Sequence, residues 1–318
     1  MEQEVKNIFN IRISSPFWET LARVYLQKYS QNRLDLAGVL FLLPNRRACQ
    51  ALTAAFIRLH GMQPTILPQM TPIAELDDDE IFFNGFNLSE AFREERPTIG
   101  KEERLFIFSR LIMSKPNDFG LKQISLAQAL SLAIDLAKLI DTACSQGLSF
   151  DKLQDLVPEK YATHWQETLK LLKIITEYWP QILAERKAVD CCDLKNRLLF
   201  HQAALWQKEK TQQNVVAAGI TACFPSVVAL LKSIRELPHG EIYFAGIDRF
   251  ADNSYWDAVD ETHPLYENKI LLELLGINRK SVIDISAPLR PEREKFISEI
   301  MRPAPVSDKW RNLPSDFD

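Results

Sequence analysis

Several features are missing from this 318-residue chain, and each absence excludes something. No run approaches the roughly 18 apolar residues of a membrane span. The opening residues, MEQEVKNIFNIR, are acidic and carry no signal-peptide core. The five histidines, His60, His164, His201, His239 and His263, never fall in an HxxxH or HExxH spacing, so no zinc site is in register. There is no GxSxG nucleophile turn. There is also no G-x-x-x-x-G-K-[ST]; after the first strand, where it belongs, the chain reads Ile13-Ser-Ser-Pro-Phe-Trp18. Without that glycine-rich cradle and its lysine, ATP hydrolysis by this chain has no motif to support it.

Basic excess is missing too. Net charge is −4 and the pI is near 5.9, so any affinity for polyanions must come from local basic loops or a partner subunit. The cysteines, Cys49, Cys144, Cys191, Cys192 and Cys223, are odd in number and irregularly spaced, as expected for reduced thiols in the cytosol. Neighbours Cys191 and Cys192 seldom reach one ion together, so they read as structural or incidental thiols. The expectation is a soluble, cytoplasmic chain without a membrane partner and without a metal site. Its length allows two domains or one large one, and six Trp and eighteen Phe supply apolar area for a core.

The most informative stretch present is Gly38 to Phe56. An apolar run, Val39 to Leu43, stops at Pro44-Asn45, two arginines follow, and a helical pattern begins. Such a run reads as a buried strand of a parallel sheet. The loop at its carboxyl end is where open α/β sheets place ligands. Further strands are expected within Val5–Ile13, at Thr65–Leu67, at Asn214–Gly219 and at Glu241–Asp248. Helices are expected from Pro16 to Gln27, up to His60, from Pro225 to Leu237 and from Pro264 to Leu275. Between these halves, Lys101–Lys115, Ser125–Gln146, Tyr161–Lys187 and Asp193–Lys208 all read as helices, with Trp165, Leu169, Leu172, Trp179 and Leu183 near one stripe of the third. The expected fold class is therefore α/β, a parallel-sheet domain with a large all-α insertion. Its boundaries fall at 1–100, 101–210 and 211–287, and the Pro-rich, charged residues 288–318 read as a linker or truncated end.

No catalytic residue is assigned from these patterns. Asn45, Arg46 and Arg47 form a candidate phosphate clamp beside a helix N-terminus; the alternative is a solvated pair on a surface helix. Gly219 and Thr221, and Gly246 and Asp248, follow later strands in equivalent places. With Asn45 they either share one crevice, with Thr221 bonding a phosphate or base, or they serve ordinary turn chemistry. Leu76-Asp-Asp-Asp-Glu80 reads as a solvated acidic loop rather than a Mg²⁺ site.

Four segments in order carry a family resemblance. They are Leu42-Leu-Pro-Asn-Arg-Arg-Ala-Cys-Gln-Ala-Leu52; Ile73-Ala-Glu-Leu-Asp-Asp-Asp-Glu80; Leu156-Val-Pro-Glu159 with His164 to Pro180; and Val216-Ala-Ala-Gly-Ile-Thr221 with Ala245-Gly-Ile-Asp248. Together they resemble the N-terminal part of the AddB family, the double-strand-break repair subunit of AddAB helicase–nucleases, in its alphaproteobacterial form. The resemblance implies a degenerate, P-loop NTPase-like helicase domain that binds and guides DNA and packs on an AddA-like subunit. It places the Arg46-Arg47 loop where active relatives contact single-stranded DNA, and with the neighbouring Asn45 and the loop residue Thr221 these are the expected nucleic-acid contacts. It also implies that the nuclease, the iron–sulfur cluster, Mg²⁺ and ATP belong to other domains or to the partner, so this chain carries no cofactor. The alternatives are an independent α/β nucleotide-binding protein or enzyme, and a degenerate gene fragment.

Overall fold

The computed structural model describes residues 7–61, 65–73, 97–116, 124–148 and 171–312. The chain divides into two compact units. One is α/β and comprises residues 1–87, 202–223 and 227–318; the other is mainly helical and comprises 88–201 with 224–226. The division falls within one long helix, between His201 and Gln202.

The α/β unit is built on β1 (Ile8–Ile11), β2 (Leu40–Leu43), β3 (Gln69–Pro72), and three later strands. Every residue of β2 is fully buried, as a strand covered on both faces requires. It leads through Asn45 into α2 (Arg46–Leu59), which follows α1 (Phe17–Lys28). The face carrying Phe41, Leu43, Val216, Ala218 and Tyr243 packs with Leu21 and Tyr25 of α1 and Leu52 and Phe56 of α2 in one apolar cluster. Strand alternation turns Leu40 and Leu42 to the opposite face, and these are buried as well.

The helical unit opens with a two-residue strand, β4 (Thr98–Ile99), which pairs in parallel with β5 (Val189–Asp190). Between them lie α3 (Lys101–Ser114), α4 (Leu126–Ser145) and α5 (Trp179–Glu185). Ser125 starts α4 with a reciprocal capping box to Gln128, as its sequence signature requires. The helix expected at Tyr161–Lys187 is described only from Leu171; Trp165 and Leu169 lie outside the described residues, as do residues 74–80 and 156–159. Before α5 the backbone widens into a π turn at Ile174–Tyr178, directly ahead of Pro180, which has no N–H to continue the α ladder. The long helix α6 (Cys191–Glu209) follows β5.

The buried Arg104 anchors this unit. Its Nη1 donates to both oxygens of Asp190 at 3.1 and 2.9 Å, and its Nη2 to both oxygens of Asp141 at 2.8 and 2.9 Å. Asp190 also accepts the Trp179 indole N–H at 3.2 Å and the Cys192 backbone N–H at 2.7 Å. One guanidinium thus joins α3, α4 and β5.

The remaining elements are β6 (Val215–Ala218), α7 (Pro225–Glu236), β7 (Gly240–Ala245), α8 (Asn253–Ala258), α9 (Tyr266–Leu274), β8 (Ile283–Asp284) and α10 (Pro291–Ile300). The six-stranded sheet runs β3-β2-β6-β7-β1-β8, and every pairing is parallel. Two expectations shift. The third strand is Gln69–Pro72, not Thr65–Leu67; among the described residues it pairs with β2 alone, so its terminal proline sits on an edge where no ladder N–H is lost. Residues 288–312, read as a linker, hold α10 and group with the α/β unit.

At the amino end of β7, Glu241 bonds Lys28 Nζ at 2.7 Å and accepts the hydroxyls of Tyr25 and of Tyr243, the latter at 2.7 Å. Burial pushes its carboxyl up, but these donors outweigh burial and hold it below the usual range. A carboxylate lowered on folding stabilises fully above its unfolded value, and that contribution is lost as pH falls through the folded one.

Two stability predictions follow from these buried charges. Arg104→Met should cost about 3 kcal/mol in urea unfolding, the low end for a broken buried pair because Asp141 keeps solvent contact. Glu241→Gln should cost about 2 kcal/mol at pH 7 and flatten the loss of stability below about pH 4.3, read from urea midpoints across pH.

Candidate functional site

Because the sheet is parallel, the loops after its strands share one edge. Following the strand order, that edge carries Pro44–Arg47 after β2, Gly219–Thr221 after β6, Gly246–Asp248 after β7 and Arg12–Pro16 after β1. The residues singled out by sequence therefore lie along one edge.

At the β2 end, the Asn45 side chain accepts the Ala48 N–H at 2.9 Å and caps α2. Arg46 and Arg47 are exposed in the first turn of that helix, which contains no acidic residue. Next along the edge, Gly219 adopts φ +66°, and a Cβ there would stand 3.3 Å from the Phe17 ring and 3.4 Å from that of Trp18. Those two rings meet edge to face, with centroids 4.7 Å apart. Thr221 is half-buried, and its carbonyl oxygen accepts from the Cys223 thiol at 3.4 Å.

The loop after β7 starts at Gly246, with φ +70°. Asp248 Oδ1 accepts the Phe250 and Ala251 N–H groups at 2.7 and 3.1 Å, closing the loop on itself. Arg279 donates to the Ala251 carbonyl at 2.8 Å and lies over Trp256, 4.7 Å from its ring centre. Gly246 and Asp248 border a cavity of about 240 Å³ with Arg12, Tyr255, Ile297 and Ser298; Asn45, Gly219 and Thr221 do not line it. The structure thus places the predicted residues along one edge without gathering them into one crevice.

Sequence reasoning missed the groups that close the β1 end. Asn10, fully buried in the middle of β1, accepts the Ile247 N–H at 2.8 Å and donates to the Ile247 carbonyl at 3.2 Å and to Asp284 at 2.8 Å. Arg12 forms ion pairs with Asp284 at 3.0 Å and Glu294 at 2.8 Å. Ser14 donates to Glu294, and its Oγ accepts the Leu289 N–H at 3.2 Å. Arg249 pairs with Asp284 at 2.9 Å. The turn after β1 is tight, with the Ser15 N–H bonded to the Arg12 carbonyl at 2.9 Å. Arg12 and Arg249 thus both face carboxylates. The available sequence signal was Asn10, a polar residue inside an apolar strand.

Among the described residues, no group of three or more His, Cys, Asp or Glu side chains is placed to hold a metal ion, and no helix is long and apolar enough to cross a membrane. No family model matches the chain, and no curated protein matches it.

The Arg12–Glu294 pair is testable by a double-mutant cycle. Arg12→Met and Glu294→Gln should each destabilise the chain in urea, with a coupling of about 1–3 kcal/mol between them. Additive losses would remove the pair from the architecture of this edge.

Proposed function

We propose that this chain is a non-catalytic, helicase-like module of the AddB type, acting in DNA double-strand-break repair by guiding a DNA strand while packed on an AddA-like subunit. The observation that carries the reading is the turn after β1. In a P-loop protein that turn wraps a phosphate with backbone N–H groups. Here Arg12 and Ser14 are bound to Glu294, and Phe17 and Trp18 lie against Gly219. The sequence of this turn, Ile13-Ser-Ser-Pro16, lacks the glycines and lysine of such a cradle, and its side chains are tied to α10 instead. A helical unit inserted between β3 and β6 of a parallel sheet agrees with the same reading.

On this reading Arg46 and Arg47 are the DNA contacts and act on the phosphate backbone. Such contacts position a strand without reading its sequence. Asn45 orients the helix start that presents them, and Thr221 stands on the neighbouring loop. The module performs no chemistry of its own. Any ATP, Mg²⁺ or iron–sulfur chemistry of the complex belongs to the partner or to other domains.

One observation favours a second reading, an independent α/β nucleotide-binding protein. The cavity at Gly246 and Asp248 is also lined by Ser298, whose buried hydroxyl has no hydrogen-bond partner among the described residues. Calorimetric titration with ATP and ADP separates the two. Heat of binding that is lost when Ser298→Val removes the hydroxyl supports the second reading, and the absence of any heat removes it.

The leading reading makes a salt-dependent prediction. Replacing both Arg46 and Arg47 by Ala should weaken single-stranded DNA binding equally across unrelated sequences. It should also reduce the slope of log K against log salt by about 1.4, the value for two phosphate contacts on a single strand. The measurement is fluorescence anisotropy, with the chain alone and with the AddA-like subunit present. Unchanged affinity and slope in both cases would remove these arginines from the mechanism.

A further inference from the structure

Helix α10 carries a serine that the rest of the fold leaves unserved. Ser298 is 3% exposed, and its hydroxyl has no hydrogen-bond partner among the described residues. A helical serine often donates back to the carbonyl four residues earlier, as Ser109 does to Leu105 at 2.8 Å in α3. Ser298 instead lines the cavity bordered by α10 and the loops after β1 and β7. A buried hydroxyl without a partner on a cavity wall calls for one from outside the chain.

The rest of that wall is mostly apolar. Phe250, Tyr255 and His263 supply rings, and Ile297 and Met301 supply aliphatic surface. At about 240 Å³ the cavity is smaller than the roughly 300–1,000 Å³ of pockets for drug-sized ligands, which suits a single ring. An adjoining groove of about 390 Å³ shares Ile13, Glu294 and Ile297 with it and adds Leu289, Arg290 and Arg293. Ile13 and Leu289 are each 67% exposed, so the groove presents apolar surface to solvent. Arg290 and Arg293 are exposed and form no ion pair among the described residues. Arg12 and Glu294 are already paired, so these two guanidiniums are the charge that an incoming ligand meets.

We propose that the cavity and groove form a binding site for a small aromatic carboxylate that carries a hydroxyl opposite its acid group.

Each part of such a ligand has a counterpart. The carboxylate takes paired N–H bonds from the planar fork of Arg293, with Arg290 beside it. The ring enters the cavity among Phe250, Ile297 and Met301. The hydroxyl meets that of Ser298, giving a buried polar group its missing partner. Ser298 follows Arg293 by five residues, about 7.5 Å along the helix axis, which is close to the span of a ring with a polar group at each end. Glu294 lines both spaces, so a single negative charge is favoured over a polyphosphate. Arg46 and Arg47 line neither space, and the site operates whether or not they contact DNA.

Calorimetric titration of the whole chain with para-hydroxyphenylacetate tests the site. The expected result is saturable binding at one site, with phenylacetate, which lacks the hydroxyl, about tenfold weaker. Ser298→Ala should abolish that difference. Replacing both Arg290 and Arg293 by Ala should weaken both acids by about tenfold or more. Tyrosol, in which an alcohol replaces the acid, should bind the native chain and that double variant equally weakly. The two arginines are exposed, so their replacement leaves the fold intact and decides the matter even if Ser298→Ala destabilises the chain. Absence of binding by either acid, affinities that none of these replacements alters, or displacement of the bound acid by ATP would overturn the proposal.

Discussion

The ion pairs from Arg12 to Asp284 and Glu294 govern what the carboxyl edge of the sheet can do. The side chains of Arg12 and Glu294 are only 11% and 6% exposed, so neither charge has bulk water to fall back on. Removing one partner leaves the other buried and uncompensated, which costs far more than a surface pair is worth. The end of β1, the short strand β8 and helix α10 are therefore held as one body. Asn10 reinforces it by bonding Ile247, in the loop after β7, and Asp284 of β8.

A similar constraint organises the helical unit with different residues. Arg104 satisfies two carboxylates, and one of them, Asp190, also fixes the first turn of α6 through the Cys192 N–H. The clamp that holds α3, α4 and β5 together thus also sets where Cys192 stands relative to the last turn of α4. Structural charge and thiol placement are linked through one aspartate.

Much of this was legible in the sequence where local signals suffice. The run Val39–Leu43 ending at Asn45 has both the composition of a buried strand and the residue that caps the next helix. Ser125 and Gln128 mark the start of α4 in the same way. Legibility failed where partners are distant. The strand at Gln69–Pro72 has the composition of a turn and is a strand only because β2 supplies its hydrogen bonds. The charges of Pro291–Ile300 look like those of a linker, yet Glu294 is matched to Arg12 across 282 positions. No window along the chain shows such a pair; only Asn10 stood out locally. The loops after β2, β6 and β7 could be placed on one edge because parallel strands demand it, but which of them would share a cavity depends on side chains from α8 to α10.

The edge is consequently uneven, and that bears on the proposed role. At the β1 end, Arg12 and Arg249 are neutralised by carboxylates. At the β2 end, Arg46 and Arg47 stand exposed at a helix start that has no acid in its first turn. Asn45 already takes one of the backbone N–H groups that such a helix start offers an anion. Two exposed arginines and part of a helix dipole stand at this end. That combination attracts a phosphate backbone but does not enclose a nucleotide. Two such contacts on a chain of net charge −4 favour weak, sequence-independent association. On the proposed reading, guiding a strand therefore requires a partner that supplies the rest of the binding surface.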